Sequence, residues 1–274
     1  MPELTTSETE IIKTAERELR AMLAAGGASL HARHDFREYT AIRRRHGATH
    51  LNQAFDPRHV KFGTDDFWLL ATNAAREAIA TYCLRRLIVA DFFDLVRSQE
   101  LWFCRRSRRA DRRFVVECEI PVFGGEIVHG GGLWIRDDYR GSSRLAPILP
   151  HFARALALRR RPFDHDSAMI RNDLADPPAL AERKARFMGI KVYGYARARR
   201  FVDGWFPPEG RAAIMHLCHS TQAEAIASLS VTGLVADSLA KRGAEVRQLP
   251  FVDQHYQPIY APPVLSQGQQ QARI

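Results

Sequence analysis

The residues best suited to chemistry lie in one segment, from Gly130 to Leu145, with the sequence GGGLWIRDDYRGSSRL. An apolar stretch, Leu133 to Ile135, leads into charged turn residues and small residues, and an apolar helical pattern starts at Leu145. Because glycine and serine carry no bulky side chain, the backbone N–H groups of such a loop can approach a ligand closely. The first-turn N–H groups and the positive end of the helix dipole face the same place. The segment therefore predicts a site for phosphate or another anion, with Arg140 and Arg144 adding full charges.

The run from Ile135 to Leu145 resembles the acyl-CoA signature of the GNAT superfamily, the GCN5-related N-acetyltransferases and N-acyltransferases. In that family a central strand is followed by a short turn and by Arg/Gln-x-x-Gly-x-Gly/Ala at the start of a helix. Arg140 matches the first position, and Ser143 and Leu145 stand where small residues are usual. The resemblance implies that the strand end and the loop bind an acyl-CoA donor through Trp134, Ile135, Arg140, Gly141, Ser142, Ser143, Arg144 and Leu145.

Strand and helix patterns on either side position this loop. Aromatic and apolar runs predict strands at Asp66–Thr72, Ile79–Val89, Phe114–Val122, Ile127–Ile135, Asp166–Ile170, Lys191–Ala198 and Arg211–Cys218. The first two are expected to pair antiparallel, and so are the third and fourth, through a turn at Gly124-Gly125. Apolar stripes predict helices at Glu8–Ala25, capped by Thr6 or Ser7, and at Phe36–Arg45, Leu145–Leu158, Ala179–Met188 and Gln222–Leu229.

The order of these elements resembles the GNAT core over about Phe62 to His219. The resemblance implies an α/β (α+β) fold with a mixed, mostly antiparallel central sheet flanked by helices. We accordingly expect an N-terminal helical extension over residues 1–60 that packs on the core, and a GNAT-like acyltransferase domain over residues 61–220. A C-terminal helix and a partly disordered tail are expected over residues 221–274, since the end of the chain has few core-forming residues.

Direct transfer of an acyl group from a thioester to an amine, the reaction that the resemblance implies, needs side chains that handle protons. Glu126 and His129 lie on the strand that leads to the loop, and Glu119 lies on its expected partner strand. On a regular strand Glu126 and His129 point to opposite faces, and a bulge in the glycine run would change that alternation. GNAT enzymes often protonate the departing thiolate with a tyrosine. The corresponding position has no hydroxyl here, so Tyr193 and Tyr195 are the nearest candidates for the acid.

The charge and the residue composition limit which partners and which cellular location can be expected. The net charge is +9, and arginine dominates, so the surface should attract polyanions: CoA phosphates, an acidic acyl carrier protein or nucleic acid. No apolar run is long enough to cross a bilayer and no apolar secretory core begins the chain, which predicts a cytoplasmic protein without membrane insertion. Four widely spaced cysteines predict reduced thiols. His216, Cys218 and His219 are residue types that bind zinc, but the sequence has no second pair at ligand spacing, so no metal cofactor is expected.

The function predicted from these features is an N-acyltransferase that uses acetyl-CoA or another acyl-CoA, with a small-molecule or peptide amine as acceptor. A donor on an acyl carrier protein is the alternative within this class, as in GNAT-like synthases of N-acyl amino acids and acyl-homoserine lactones. The alternative from another class is a non-catalytic, arginine-rich nucleic-acid-binding protein on a degenerate GNAT scaffold. A homodimer is compatible with each of these.

Overall fold

The computed structural model describes residues 3–49, 51–103, 114–118, 121–140, 145–171, 182, 184–185, 188–198 and 213–230. Within them the helices are α1 Thr6–Ala25, α2 Phe36–Arg45, α3 Phe92–Arg97, α4 Leu145–Arg160 and α5 at residues 222–230. The strands are β1 Ser29–Arg33, β2 Phe67–Thr72, β3 Ala78–Val89, β4 Phe114–Cys118, β5 Gly125–Ile135, β6 His165–Arg171, β7 Lys191–Ala198 and β8 Ala213–Thr221. None of the helices in this part of the chain is long and apolar enough to cross a bilayer.

These strands form one sheet in the order β1-β2-β3-β5-β6-β8-β7-β4. Neighbouring strands are antiparallel except β5 and β6, which are parallel and joined by α4. A parallel pair needs such a crossover helix, because a tight turn can join only antiparallel strands. The prediction of a mixed, mostly antiparallel sheet flanked by helices is confirmed.

Each face of the sheet packs against its own set of helices. On one side, here called the α4 face, Leu69 and Val128 pack with α1 and α4 in one apolar core. On the other side, here called the α2 face, Trp68 and Ile127 pack with residues of α2 and α3 in a second core. Since successive residues of a strand point to opposite faces, β2 and β5 supply both cores at once.

The predicted hairpin between Phe114–Val122 and Ile127–Ile135 is wrong. β5 pairs with β3, from Val89 opposite Gly125 onward, whereas β4 pairs with β7 at the far edge of the sheet. The glycine pair at 124–125 packs against the end of β3 instead of turning a hairpin: a Cβ on Gly124 would lie 2.1 Å from the carbonyl oxygen of Ala90. The chain between β3 and β5 contributes Phe92, Phe93 and Phe123 to the core on the α2 face.

The N-terminal part differs from expectation in two details. It contributes a strand as well as helices, because β1 pairs along β2 from Ser29 opposite Thr72. The cap of α1 is Thr5, so the prediction of Thr6 or Ser7 is wrong. Thr5 and Glu8 bond reciprocally: the Thr5 N–H donates to the Glu8 carboxylate at 2.8 Å, and the Glu8 N–H donates to Thr5 Oγ1 at 3.2 Å. This capping box satisfies two first-turn donors and fixes where the helix begins.

Candidate active site

The parallel strands β5 and β6 separate in the middle of the sheet. They are in register over four residue pairs, from Ile127 opposite His165 to Gly130 opposite Ala168. Beyond that point β5 continues to Ile135 along β3, and β6 continues to Arg171 along β8. Each strand is held by its outer neighbour while the inner edges part. Residues 131–135 of β5 and residues 169–171 of β6 are therefore not paired with each other, and the space between them is here called the gap.

A β-bulge lies on β5 beside this gap. Thr81 of β3 is opposite Trp134 and Cys83 is opposite Gly131, so Gly132 and Leu133 together face a single residue of β3. Such a bulge bends the strand and interrupts its hydrogen-bond ladder. Gly131 and Gly132 are partly exposed and Leu133 is exposed, so a ligand can reach the backbone here from solvent.

The glycine run is required by aromatic rings that press on the backbone from both faces. A Cβ on Gly130 would lie 2.0 Å from the hydroxyl of Tyr82, and one on Gly131 would lie 2.7 Å from the ring of Phe55. Gly132 has a φ of +63°, and its Cβ would lie 2.8 Å from the hydroxyl of Tyr39. Only glycine tolerates both the contacts and the left-handed conformation. The run thus belongs to the strand and its bulge, ahead of the loop.

His129 lies at the closed end of the gap, on the α2 face. Its Nδ1 is 3.0 Å from Ser167 Oγ on β6, one register pair before the strands separate. Its ring stacks on Phe55, with centroids 5.9 Å apart, and tilts against Phe92. Burial, with a smaller contribution from the Arg85 cation, lowers the pKa of His129 to about 3. The imidazole is therefore neutral at pH 7.

Glu126 points to the α4 face, which confirms that it and His129 lie on opposite faces of β5. Its Oε1 accepts hydrogen bonds from Arg86 at 2.5 Å and from Nε of Arg161 at 2.7 Å. Arg86 also donates to the carbonyl oxygens of Ala157 and Arg161, which lie at the C-terminal end of α4. The carboxylate thus fastens the end of α4 to the sheet, at the start of β5 and away from the bulge.

The residues predicted to bind acyl-CoA divide between the two faces. Ile135 packs against the core of α1 and α4, and Leu145 is buried in it. Trp134 lies on the other face. Arg140 is exposed, and its Nε donates to the carbonyl oxygen of Ile135 at 3.0 Å, which brings its guanidinium back to the strand end.

The remaining predicted site residues are in the predicted loop before α4, after β4 and on β7. Gly141, Ser142, Ser143, Arg144 and Glu119 lie outside the described residues. Tyr193 lies on β7, where the register with β8 shifts between Val192 and Gly194. Because β8 stands between β7 and β6, Tyr193 is not on a strand that borders the gap.

Sequence reasoning did not single out Arg43 and Tyr39, which α2 places beside the bulge. The Arg43 guanidinium lies 4.8 Å above the ring of Trp134, and the Tyr39 hydroxyl bonds to it. Burial is the largest cause that lowers the pKa of Arg43, and Tyr39 partly opposes it. A signal was present in the sequence: Phe36, Tyr39 and Arg43 follow the i, i+3, i+7 spacing of one helix face.

No protein-family model matches the sequence. No curated protein matches it either. Solved structures that resemble it include GNAT acetyltransferases. A variant of the spermidine N-acetyltransferase from Vibrio cholerae is 11% identical, with a TM-score of 0.43 over 73% of this chain and 96% of that one. A GNAT-family acetyltransferase from Streptococcus pneumoniae is 13% identical, with a TM-score of 0.40 over 70% of this chain and 99% of that one. At this level the likeness concerns the fold alone, and the chain's own geometry must carry any functional conclusion.

Proposed function

We propose that the chain is an N-acyltransferase that moves an acetyl or other acyl group from a CoA thioester to an amine. The amine nitrogen attacks the thioester carbon, the tetrahedral intermediate collapses, and the CoA thiolate leaves and takes up the proton that the amine loses. The observation that carries the proposal is the separation of β5 and β6 beside an exposed bulge.

The gap suits the pantetheine arm of CoA. That arm is extended and carries amide groups, so it can bond to strand edges in the way an added strand does. β5 offers such an edge over residues 131–135 and β6 over residues 169–171, since neither range is in register with the other strand. An arm laid in the gap would bring the thioester to the bulge.

The bulge suits the reacting carbonyl. A thioester oxygen becomes negatively charged as the amine adds, and a fixed backbone N–H directed at it lowers the barrier. The amides of Gly132 and Leu133 lie where the ladder to β3 is interrupted, so they are the donors that we assign to this role.

The diphosphate is assigned to Arg140 and the start of α4. The N-terminus of a helix favours an anion through its N–H groups and its dipole. α4 begins at Leu145, whose side chain is buried in the α4-face core. Arg140 adds a guanidinium at the strand end. The predicted loop residues 141–144 remain part of this proposal.

We assign proton transfer to His129. It is neutral at pH 7 and lies at the apex of the gap, on the face that α2 covers. Because its pKa is low, the imidazole is a weak base that would take the proton only after the amine nitrogen has added and become an acidic ammonium, and the imidazolium so formed would be a strong acid. It would pass the amine's proton on to the thiolate, whose pKa in a free thiol is about 8.5. One residue would then serve as base and acid, which fits a site where Tyr193 lies off the bordering strands.

Isothermal titration calorimetry with CoA and acetyl-CoA tests the proposal directly. We expect low-micromolar binding, weakened about 10- to 100-fold in Arg140→Ala, the range for a lost charge-assisted hydrogen bond. Arg17→Ala, an exposed arginine on α1, is the matched control and should bind like the unmodified protein. Release of free CoA on addition of an amine panel then tests transfer. Binding of neither thioester would overturn the proposal, and salt-dependent affinity for DNA or RNA in its place would favour the nucleic-acid alternative.

A further inference from the structure

Arg43 carries a half-buried positive charge that no carboxylate among the described residues neutralises. Its Nε and Nη1 are buried and have no hydrogen-bond partner in that part of the chain. The groups that act on it electrostatically are Tyr39, Cys83 and Arg140, and none of them is a carboxylate. A buried donor without an acceptor destabilises the protein, and a charged one more so. Such a residue is expected where a ligand supplies the missing acceptor.

The position of Arg43 connects it with the bulge. Its guanidinium stacks on Trp134, which is two residues beyond Gly132 on β5. Two strand residues span about 7 Å. Tyr39, which bonds to the same guanidinium, also meets Gly132, since a Cβ there would lie 2.8 Å from its hydroxyl. A small ligand can therefore contact the bulge with one group and the Arg43 guanidinium with another group only a few bonds away.

We assign the anion that would bind Arg43 to the acceptor and not to the diphosphate of the donor, because Arg43 lies on the α2 face of the sheet. α2 packs on the α2 face, whereas α4, whose N-terminus is assigned to phosphate, packs on the α4 face. A ligand on the α2 side of the bulge is the acceptor. A polyamine would bring further cations toward Arg43, which repels them.

We infer that the acceptor is an amine that also carries a carboxylate, such as an amino acid or short peptide, and that Arg43, stacked on Trp134, binds that carboxylate while the amine faces the bulge. The inference rests on the proposed function and names its substrate class. Arg43 is then a specificity-determining residue: it holds the acceptor and takes no part in proton transfer.

The test compares matched acceptors in an acetyl-CoA assay that follows free CoA. The twenty common amino acids and their carboxamides differ only in the charge that Arg43 would bind. We expect kcat/KM to be at least tenfold higher for an accepted amino acid than for its amide. Arg43→Gln should remove that preference: kcat/KM should fall for the amino acid and stay nearly unchanged for its carboxamide. Arg44→Gln, its exposed neighbour on α2, is the control and should keep the preference.

Two further measurements separate the possible failures. Thermal unfolding of Arg43→Gln should show an unchanged or higher Tm than the unmodified protein, whereas a structural arginine would lower it. Calorimetry with acetyl-CoA should give the same affinity in both. Transfer only to amides or polyamines, or a loss in Arg43→Gln that is equal for acid and amide, would overturn the inference while thioester binding upholds the proposed function. Absence of thioester binding would overturn both.

Discussion

His129 and Ser167 join the two parallel strands at the point where they are about to part. Their side chains meet across β5 and β6, with His129 Nδ1 3.0 Å from Ser167 Oγ, and Gly130 opposite Ala168 is the last pair in register. The hydroxyl also lies 3.3 Å from the carbonyl oxygen of Val128, to which it can donate. This contact fixes the apex of the gap, so the ring that we assign to proton transfer also holds the cleft in shape.

Burial of His129 predicts a loss of stability in acid. Its pKa is about 3 in the folded chain against an ordinary value of 6.5, so the unfolded chain binds the proton more readily. Its contribution to stability is complete above pH 6.5 and is lost as the pH falls toward 3. At pH 5 the loss should be about 2 kcal/mol.

Urea unfolding at pH 7.5 and pH 5 measures this difference. His129→Asn should lose less stability between the two pH values than the unmodified protein. Some pH dependence should remain, because burial also lowers the pKa of His151 and of His219 to about 4. Equal pH dependence in the two proteins would mean that His129 is not buried as a neutral ring.

The packing of the bulge predicts that adding one methyl group, in Gly132→Ala, lowers the free energy of unfolding. Gly132→Ala places a Cβ 2.8 Å from the Tyr39 hydroxyl and 3.1 Å from Cys83 Sγ, at a φ of +63°. Overpacking and the left-handed backbone together should destabilise the fold by about 2–4 kcal/mol. Gly27→Ala is the control: its φ is +70° and nothing lies within 4 Å of the added Cβ, so only about 1 kcal/mol is expected. Denaturant unfolding that gave equal losses would show that the bulge is not packed as described.

Glu126→Gln decides between a structural and a catalytic role for that carboxylate. The change leaves Arg86 and Arg161 facing an uncharged amide, and removing one partner of a buried ion pair costs about 3–5 kcal/mol. The expected result is a large fall in the free energy of unfolding with kcat of the folded fraction changed only a few-fold. A hundredfold fall in kcat with stability retained would instead identify Glu126 as the base.

Local patterns in the sequence predict the elements well, because helices and strands follow their own periodicity. Phe36–Arg45 and Lys191–Ala198 have the predicted bounds, and of the two alternatives left open for the glycine run, a regular strand or a bulge, the structure has a bulge at Gly132 and Leu133. Strand pairing is a different matter. Nothing in residues 114–118 distinguishes a hairpin with β5 from a place beside β7, because both partners offer an equivalent edge.

In the candidate site, too, local sequence patterns predict some residues and only the packed fold determines the others. The strand end and Arg140 could be predicted because they are consecutive in the chain. Arg43 could not be assigned to the site from its charge alone, since it stands in a row with Arg44 and Arg45, which are exposed. Only the packing of α2 on the sheet makes one arginine of the three half-buried and places it on Trp134.

The buried pair Arg154 and Asp166 predicts strongly non-additive mutations. Nε of Arg154 donates to Asp166 Oδ2 at 2.6 Å, and Arg154 also donates to Ser228 Oγ on α5 and to the carbonyl oxygen of Met188 ahead of β7. One side chain thus ties α4 to three other parts of the fold.

Burial raises the pKa of Asp166, and the Arg154 cation opposes that rise. Arg154→Met alone therefore leaves a carboxylate buried without its cation and should cost about 3–5 kcal/mol. Asp166→Leu alone leaves the Arg154 guanidinium buried without its carboxylate and should lower the free energy of unfolding by a similar amount. In the double variant neither charge remains, so the loss should be smaller than the sum of the two single losses. Denaturant unfolding of all four proteins gives the coupling, and additive losses would mean that the two side chains do not interact.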